Sequence, residues 1–164
     1  MAYTSHTVLA KVLGRTLPIG HFPDSRWAID MATSAGVSLL VGVDLQPISE
    51  VEQSLNDFGD HYCRRLFTDH ELDSYAPVTP TRLAERFAAK EAVLKVLQTS
   101  ESLNAWHSIE VISRPDNAIE ILLNGSAHES AVRLGLSSFR VSLSHGGGVA
   151  SAVVTAESTR TSKV

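Results

Sequence analysis

A chain of 164 residues with 43% hydrophobic content fits one domain of ordinary size and can fill a core. Its net charge of −4 argues against a broad nucleic-acid footprint, though it leaves room for a small basic pocket. One cysteine, Cys63, excludes an internal disulfide framework and a cysteine-rich metal site. No apolar run approaches membrane-spanning length, and the N-terminus lacks the basic-then-apolar layout of a secretory signal, so a soluble, cytoplasmic protein is expected.

Residues 1–36 are mixed. Val8, Leu9, Val12 and Leu13 suit one side of a short helix ending at Gly14, before Pro18, Gly20 and Pro23 break the chain, and Trp27, Ile29 and Met31 suggest a second piece with something to bury. Residues 37–45 form a nearly continuous apolar run with a strand signature that ends in a carboxylate, Asp44. An Asp there is costly unless it is paired, hydrogen-bonded or metal-bound, or has simply reached the strand end. The spacing of Ile48, Val51, Leu55 and Phe58 predicts a helix over 47–62, whose outer face carries Glu50, Glu52, Asp57 and Asp60. Cys63 lies beside Arg64 and Arg65, which could activate a thiol, although an inert helix cysteine is the commoner outcome. Thr68-Asp-His-Glu71 is a capping-box pattern for a short helix.

Thr79 and Pro80 then signal the start of a firm helix running through Arg82–Lys95, free of Gly and rich in Ala, Leu, Glu, Lys and Arg. Phe87, Glu91 and Lys95 share one face, with a small-residue stripe of Ala84, Ala88 and Ala92 beside it that admits close approach of a backbone or a ligand. Glu91 and Lys95 read either as a surface ion pair or as part of a site. Beyond a polar loop at 99–105, Ile109–Ile112 and Ile119–Leu123 suggest two antiparallel strands. Asn124-Gly125 reads as a turn, Ser126-x-x-Glu129 as a second capping box, and Gly135 as the end of that helix. Phe139, Val141 and Leu143 alternate with polar residues up to His145-Gly-Gly-Gly, Val149–Ala156 returns as the partner strand, and a polar tail follows. The order is that of an α+β fold with a mainly antiparallel sheet.

Asp44, the Glu91/Lys95 face and Ser144-His145 are the parts that metal-assisted phosphate chemistry uses. Two carboxylates can hold a hard cation, Lys and Arg neutralise phosphate charge, and Ser and His can donate to a phosphate.

The motifs Gly42-Val-Asp44, Arg64-Arg-Leu-Phe-Thr68 with Glu71, Arg86-Phe-Ala-Ala-Lys-Glu-Ala-Val-Leu-Lys95, Trp106-His-Ser-Ile-Glu-Val111, Asn124-Gly125 and Val141-Ser-Leu-Ser-His145 occur in one order. In that order and near that spacing, the chain resembles the holo-[acyl-carrier-protein] synthase family of short 4′-phosphopantetheinyl transferases. The resemblance spans about 41–157, leaving an N-terminal extension over 1–40 and a tail over 158–164. It implies the family's α+β fold, in which a mainly antiparallel sheet packs against a long central helix. It also implies transfer of the 4′-phosphopantetheine arm of coenzyme A to a carrier-protein serine, with release of adenosine 3′,5′-bisphosphate. By the same resemblance Asp44 and Glu91 bind Mg²⁺, and Lys95 meets the pyrophosphate. Arg86 and His145, with Ser144, suit the 3′-phosphate, and Asn124-Gly125 lies close to the nucleotide. Glu91 or a metal-bound water takes the serine proton, and a homotrimer with sites between subunits is implied.

Two departures stand out. The family's glycine-rich turn after the central helix is replaced by Leu97-Gln-Thr-Ser100, and the helix after Asp44, basic in the family, is acidic here. Charges of like sign across an interface oppose association, so a carrier with a less acidic docking face is expected. The alternative to an enzyme is a non-catalytic relative that binds carrier protein or coenzyme A as an assembly subunit.

Overall fold

In the computed structural model, residues 31–32, 38–99 and 106–158 are described. The expectations for residues 1–30 and for the loop over 100–105 lie outside them. Strands β1 (Met31–Ala32), β2 (Ser38–Pro47), β5 (Leu136–Gly146) and β6 (Val149–Ser158) form an antiparallel sheet in the order β1-β2-β6-β5. β3 (Ile109–Ser113) and β4 (Ile119–Leu123) make a separate antiparallel pair. The apolar run that suggested a strand is β2, and its burial alternates: Leu40, Gly42, Asp44 and Gln46 are buried, whereas Val43 and Leu45 are exposed. A period of two sends successive side chains to opposite faces. β6 runs on through Ser158, which the composition alone would assign to the polar tail.

The helical stretch after Asp44 is two helices. α1 (Ile48–Phe58) stops at Gly59, whose φ of 52° turns the chain into α2 (Asp60–Leu66). Gly permits that conformation at little steric cost, so a helical period that reads as continuous is broken there. α3 (Asp69–Ser74) carries both halves of the capping box expected at Thr68 and Glu71. α4 (Pro80–Val96) is the central helix, capped by the Thr79 side chain with Pro80 at its first turn. α5 (Gly125–Leu134) differs from expectation at its start. Asn124 is the N-cap residue and Gly125 the first helical residue, so the two are a helix entry, and the cap carries no side-chain hydrogen bond in place of the Ser126–Glu129 box. Its end at Gly135, with φ of 67°, is as the sequence reads.

α4 lies across the inner face of the four-stranded sheet and is buried along most of its length. Gly42 explains how close it comes. A Cβ at Gly42 would fall on the backbone carbonyl of Ala92, and 2.9 Å from the Val96 side chain. Of the small-residue stripe Ala84, Ala88 and Ala92, all fully buried, Ala92 is where the backbone of β2 arrives.

A second anchor is polar. The Lys90 ammonium, with no exposed surface, donates to Leu66 O (2.7 Å), Glu71 Oε2 (2.7 Å) and Trp106 O (2.8 Å), which uses all three of its donors. Burial draws its proton affinity below the ordinary lysine range, against the opposing pull of Glu71. Glu71 also accepts from Thr68 N (3.0 Å) and Val111 N (2.9 Å).

The Gly42 contact predicts that Gly42→Ala lowers stability by roughly 1–3 kcal/mol, the usual range for overpacking against atoms that cannot retreat. In urea unfolding the midpoint should fall at unchanged slope; an unmoved midpoint would show that α4 has slack against β2.

Candidate functional site

Asp44 reaches the site because the pleat turns it inward from β2, two residues beyond Gly42 on the same face. It is 6% exposed, and its Oδ1 accepts from the Lys95 ammonium at 2.8 Å. Lys95 donates a second bond to Val43 O at 2.7 Å. Glu91, 2% exposed, sits one helical turn before Lys95. Lys95 is thus tied to β2, which differs from the surface pair within the helix that i,i+4 spacing allows. The Lys95 side chain is 19% exposed against 6% for Asp44, so the Asp44 carboxylate lies at the floor of this corner and the ammonium at its rim.

The corner's donor set suits a hard cation of the magnesium kind, which accepts one or two carboxylates and fills the remaining positions with water and substrate phosphate oxygens. Among the described residues no group of three or more His, Cys, Asp or Glu gathers into an all-protein metal cage.

His145 stands elsewhere on the same sheet face. In register, Asp44 lies opposite Ala152 and His145 opposite Ala150, which places β6 between them. His145 Nδ1 is 2.8 Å from Oε1 of Glu85, near the start of α4. Glu85 and Lys95 are ten residues apart, about 15 Å along the helix axis. The hairpin after His145 turns through Gly147 (φ 58°) and Gly148 (φ 80°), a two-residue loop with both central residues at positive φ, which accounts for the glycine run. Ile48 N donates to Gly148 O at 2.9 Å, joining that hairpin to the start of α1.

Other expected residues are placed differently from one another. Ser144 is exposed, and strand alternation sends its side chain to the face opposite His145, so the two do not act side by side within one chain. Arg86 is 4% exposed; its Nη2 donates to Ser113 Oγ at 2.7 Å and its guanidinium lies 5.4 Å from the Tyr75 ring. Arg86 and His145, which suited one phosphate, are held by different partners. Asn124 and Gly125 are exposed at the β4–α5 junction, with Asn124 N bound to Ser108 O at 2.8 Å. Phe87 is fully buried against Trp106, ring centroids 5.1 Å apart. Cys63 is a buried free thiol whose ionisation is pushed up by burial first and by Asp60, the opposite of what an activated thiol needs.

Sequence reasoning passed over Lys90 and Glu85. Lys90 had a signal, since a lysine between Ala89 and Glu91 on an otherwise buried helix must find partners. Glu85 had none, because its partner is 60 residues away.

A family model of the 4′-phosphopantetheinyl transferase superfamily matches residues 40–154. The chain belongs to the holo-[acyl-carrier-protein] synthase family. It is 36% identical over 118 residues to the holo-[acyl-carrier-protein] synthase of Solidesulfovibrio magneticus, covering 71% of this chain and 96% of that protein. It is 45% identical over 95 residues to the synthase of Salinispora arenicola, covering 57% and 77% respectively. Among solved structures, the Helicobacter pylori synthase in complex with coenzyme A is similar at 28% identity and a TM-score of 0.60, over 70% of this chain and 96% of that one. The Chronobacterium ammoniagenes coenzyme A complex is similar at 26% and 0.65, over 74% and 98%. These neighbours share the α+β architecture expected from the sequence. Among the described residues no helix is long and apolar enough to cross a membrane.

The end of α4 carries a local conflict. Thr99 N donates to Leu94 O and Gln98 N to Lys95 O, the two bonds of a Schellman motif, and Gln98 occupies its left-handed position with φ of 52°. This is the position where the resemblance expects glycine. Gln98→Gly should therefore stabilise the protein by about 1 kcal/mol, raising Tm by roughly 2–4 °C in a thermal scan. A lower Tm would show that the Gln98 side chain contributes more than its backbone strain costs.

Proposed function

We propose that this protein transfers the 4′-phosphopantetheine group of coenzyme A to a serine of a carrier protein, releasing adenosine 3′,5′-bisphosphate. The observation that carries this reading is the Asp44–Lys95 pair across β2 and α4, with buried Glu91 one turn away, in a chain of this family. The serine Oγ gives up its proton to Glu91 or to a water and forms the new bond to the phosphorus that bears pantetheine; the P–O bond of the pyrophosphate breaks, and the nucleotide leaves with the electron pair. Asp44 and Glu91 are the residues that would hold Mg²⁺. Bound there, the ion would supply charge neutralisation to the pyrophosphate oxygens. Lys95 adds a second positive charge from the rim, where it can turn from Asp44 to a phosphate oxygen. Burial of the carboxylates keeps them fixed, so the contribution of the chain is positioning and charge. Asn124-Gly125 offers exposed backbone to the nucleotide, and the reaction we propose is cytoplasmic.

The Lys95 and Glu85 positions lie about 15 Å apart along the α4 axis, and His145 is held at the Glu85 end. We infer that a second copy supplies His145 to the Lys95 corner. The sheet face opposite α4 supports self-association, since Val43, Leu45 and Val153 are exposed on it at 37%, 57% and 41%. A homotrimer packed through this face would present exposed Ser144, which lies on it, to a neighbouring copy, while Arg86 stays held by Ser113 within its own copy. Light scattering should give a mass near three times that of the chain, and Leu45→Asp should reduce it to the monomer; a wild-type monomer would exclude the shared site.

The carrier itself is constrained by α1, where Glu50, Glu52 and Asp57 follow directly on the carboxylate corner, with Asp60 beginning α2. We assign to this protein a carrier whose docking face is less acidic than is usual for the family.

Mass spectrometry of carriers incubated with protein, coenzyme A and Mg²⁺ tests both statements. A gain of about 340 Da, the phosphopantetheine mass, is expected on the carrier. It should be faster on a neutral or basic carrier than on a strongly acidic one. Glu91→Gln should reduce transfer at least about 100-fold, the scale of losing one preorganised charge, while leaving the fold intact. Coenzyme A binding without any gain would favour a non-catalytic assembly subunit.

A further inference from the structure

Glu85 has no task in the reaction as described, yet it is held firmly. Its side chain is 15% exposed, and its Oε1 lies 2.8 Å from Nδ1 of His145, a side chain that is 57% exposed. Both ends of this contact rest on rigid elements. On α4, Arg82 donates to Tyr75 O (2.9 Å) and Pro77 O (3.1 Å), and Arg86 donates to Ser113, so the turn that carries Glu85 is clamped on both sides. On β5, His145 precedes the tight Gly147–Gly148 turn, which Ile48 holds through Gly148 O.

An ionised carboxylate only accepts hydrogen bonds, so this contact puts a proton on Nδ1. The remaining nitrogen, Nε2, is then the ring atom free for a ligand. With Nδ1–H given to Glu85, Nε2 is the atom that meets a phosphate oxygen, and a ring carrying both protons donates to it while the carboxylate balances the charge. A ring already fixed in this orientation loses little further freedom when the ligand arrives.

We propose that Glu85 is a positioning residue that holds the His145 imidazole through Nδ1 and turns Nε2 to the 3′-phosphate of the nucleotide. It thereby sharpens selection for a nucleotide that carries that phosphate over one that lacks it. This rests on the reading that His145 meets the 3′-phosphate.

The test is calorimetric titration of the full chain with adenosine 3′,5′-bisphosphate and with adenosine 5′-monophosphate, alongside nitrogen NMR of the histidine rings. His145→Ala should weaken the bisphosphate about tenfold and the monophosphate hardly at all, as expected for one charge-assisted hydrogen bond. Glu85→Ala should weaken the bisphosphate about fivefold, and Glu85→Gln, which keeps an acceptor for Nδ1, should recover part of that loss. The double variant should match His145→Ala alone, because Glu85 acts through the ring. The wild-type spectrum should show His145 protonated at Nδ1, and Glu85→Ala should shift that ring toward a mixture of tautomers. If His145→Ala weakens binding while Glu85→Ala leaves it unchanged or tighter, the positioning role is wrong and the phosphate reading stands. Additive losses in the double variant overturn the positioning role as well. If His145→Ala binds the bisphosphate normally, the phosphate reading fails and the proposal fails with it, whatever the NMR shows of the Glu85–Nδ1 bond.

Discussion

The buried Lys90–Glu71 pair is the interaction on which the arrangement depends. Three separate pieces of chain end at the Lys90 ammonium: the last residue of α2 through Leu66 O, the capping carboxylate of α3, and the segment entering β3 through Trp106 O. Glu71 extends the network to β3 through Val111 N. A charge buried this deeply is tolerable because each of its hydrogens has an acceptor, and removing one member of such a pair costs about 3–5 kcal/mol. The pair fixes the rotation of α4. With Lys90 directed at α2 and α3, Lys95 is turned toward β2. One helix thus carries a structural lysine and a site lysine on different faces, and the first determines where the second points.

Gly42 supplies the matching constraint on the sheet side. Without a Cβ it lets β2 touch the backbone of α4, which brings Asp44 within 2.8 Å of Lys95. Any side chain at that position would move the helix outward and lengthen the contact that defines the carboxylate corner. Polar anchoring on one side and a missing side chain on the other leave α4 little freedom, which suits a reaction whose acceleration comes from placing charge. The same rigidity holds His145 apart from the corner, on the far side of β6.

Much of this was legible in the residues. Local rules place Thr68, Glu71, Thr79, Pro80 and Gly135 at helix ends, an apolar run marks β2, and alternation marks β5 with β6 as its return strand, because all of these depend on neighbours a few positions apart. Where the rules failed, a single backbone angle decided. Gly59 splits the acidic helix in two, and Gly125 makes Asn124 a helix entry, although the sequence around each suits the simpler reading.

The sequence by itself determined the α+β order, the long central helix, the family, and the roster of charged and glycine residues from which a site can be built. Those follow from local periodicity and from motifs carried in order along the chain. Only the tertiary structure decided which of those residues meet. Lys95 pairs with Asp44 on another element, Lys90 is interior, Arg86 and His145 have different partners, Ser144 faces away from His145, and Glu85 holds the imidazole. Each of these joins positions far apart in sequence, and no spacing rule encodes such a contact, because it depends on how β2, α4 and β5 pack in three dimensions.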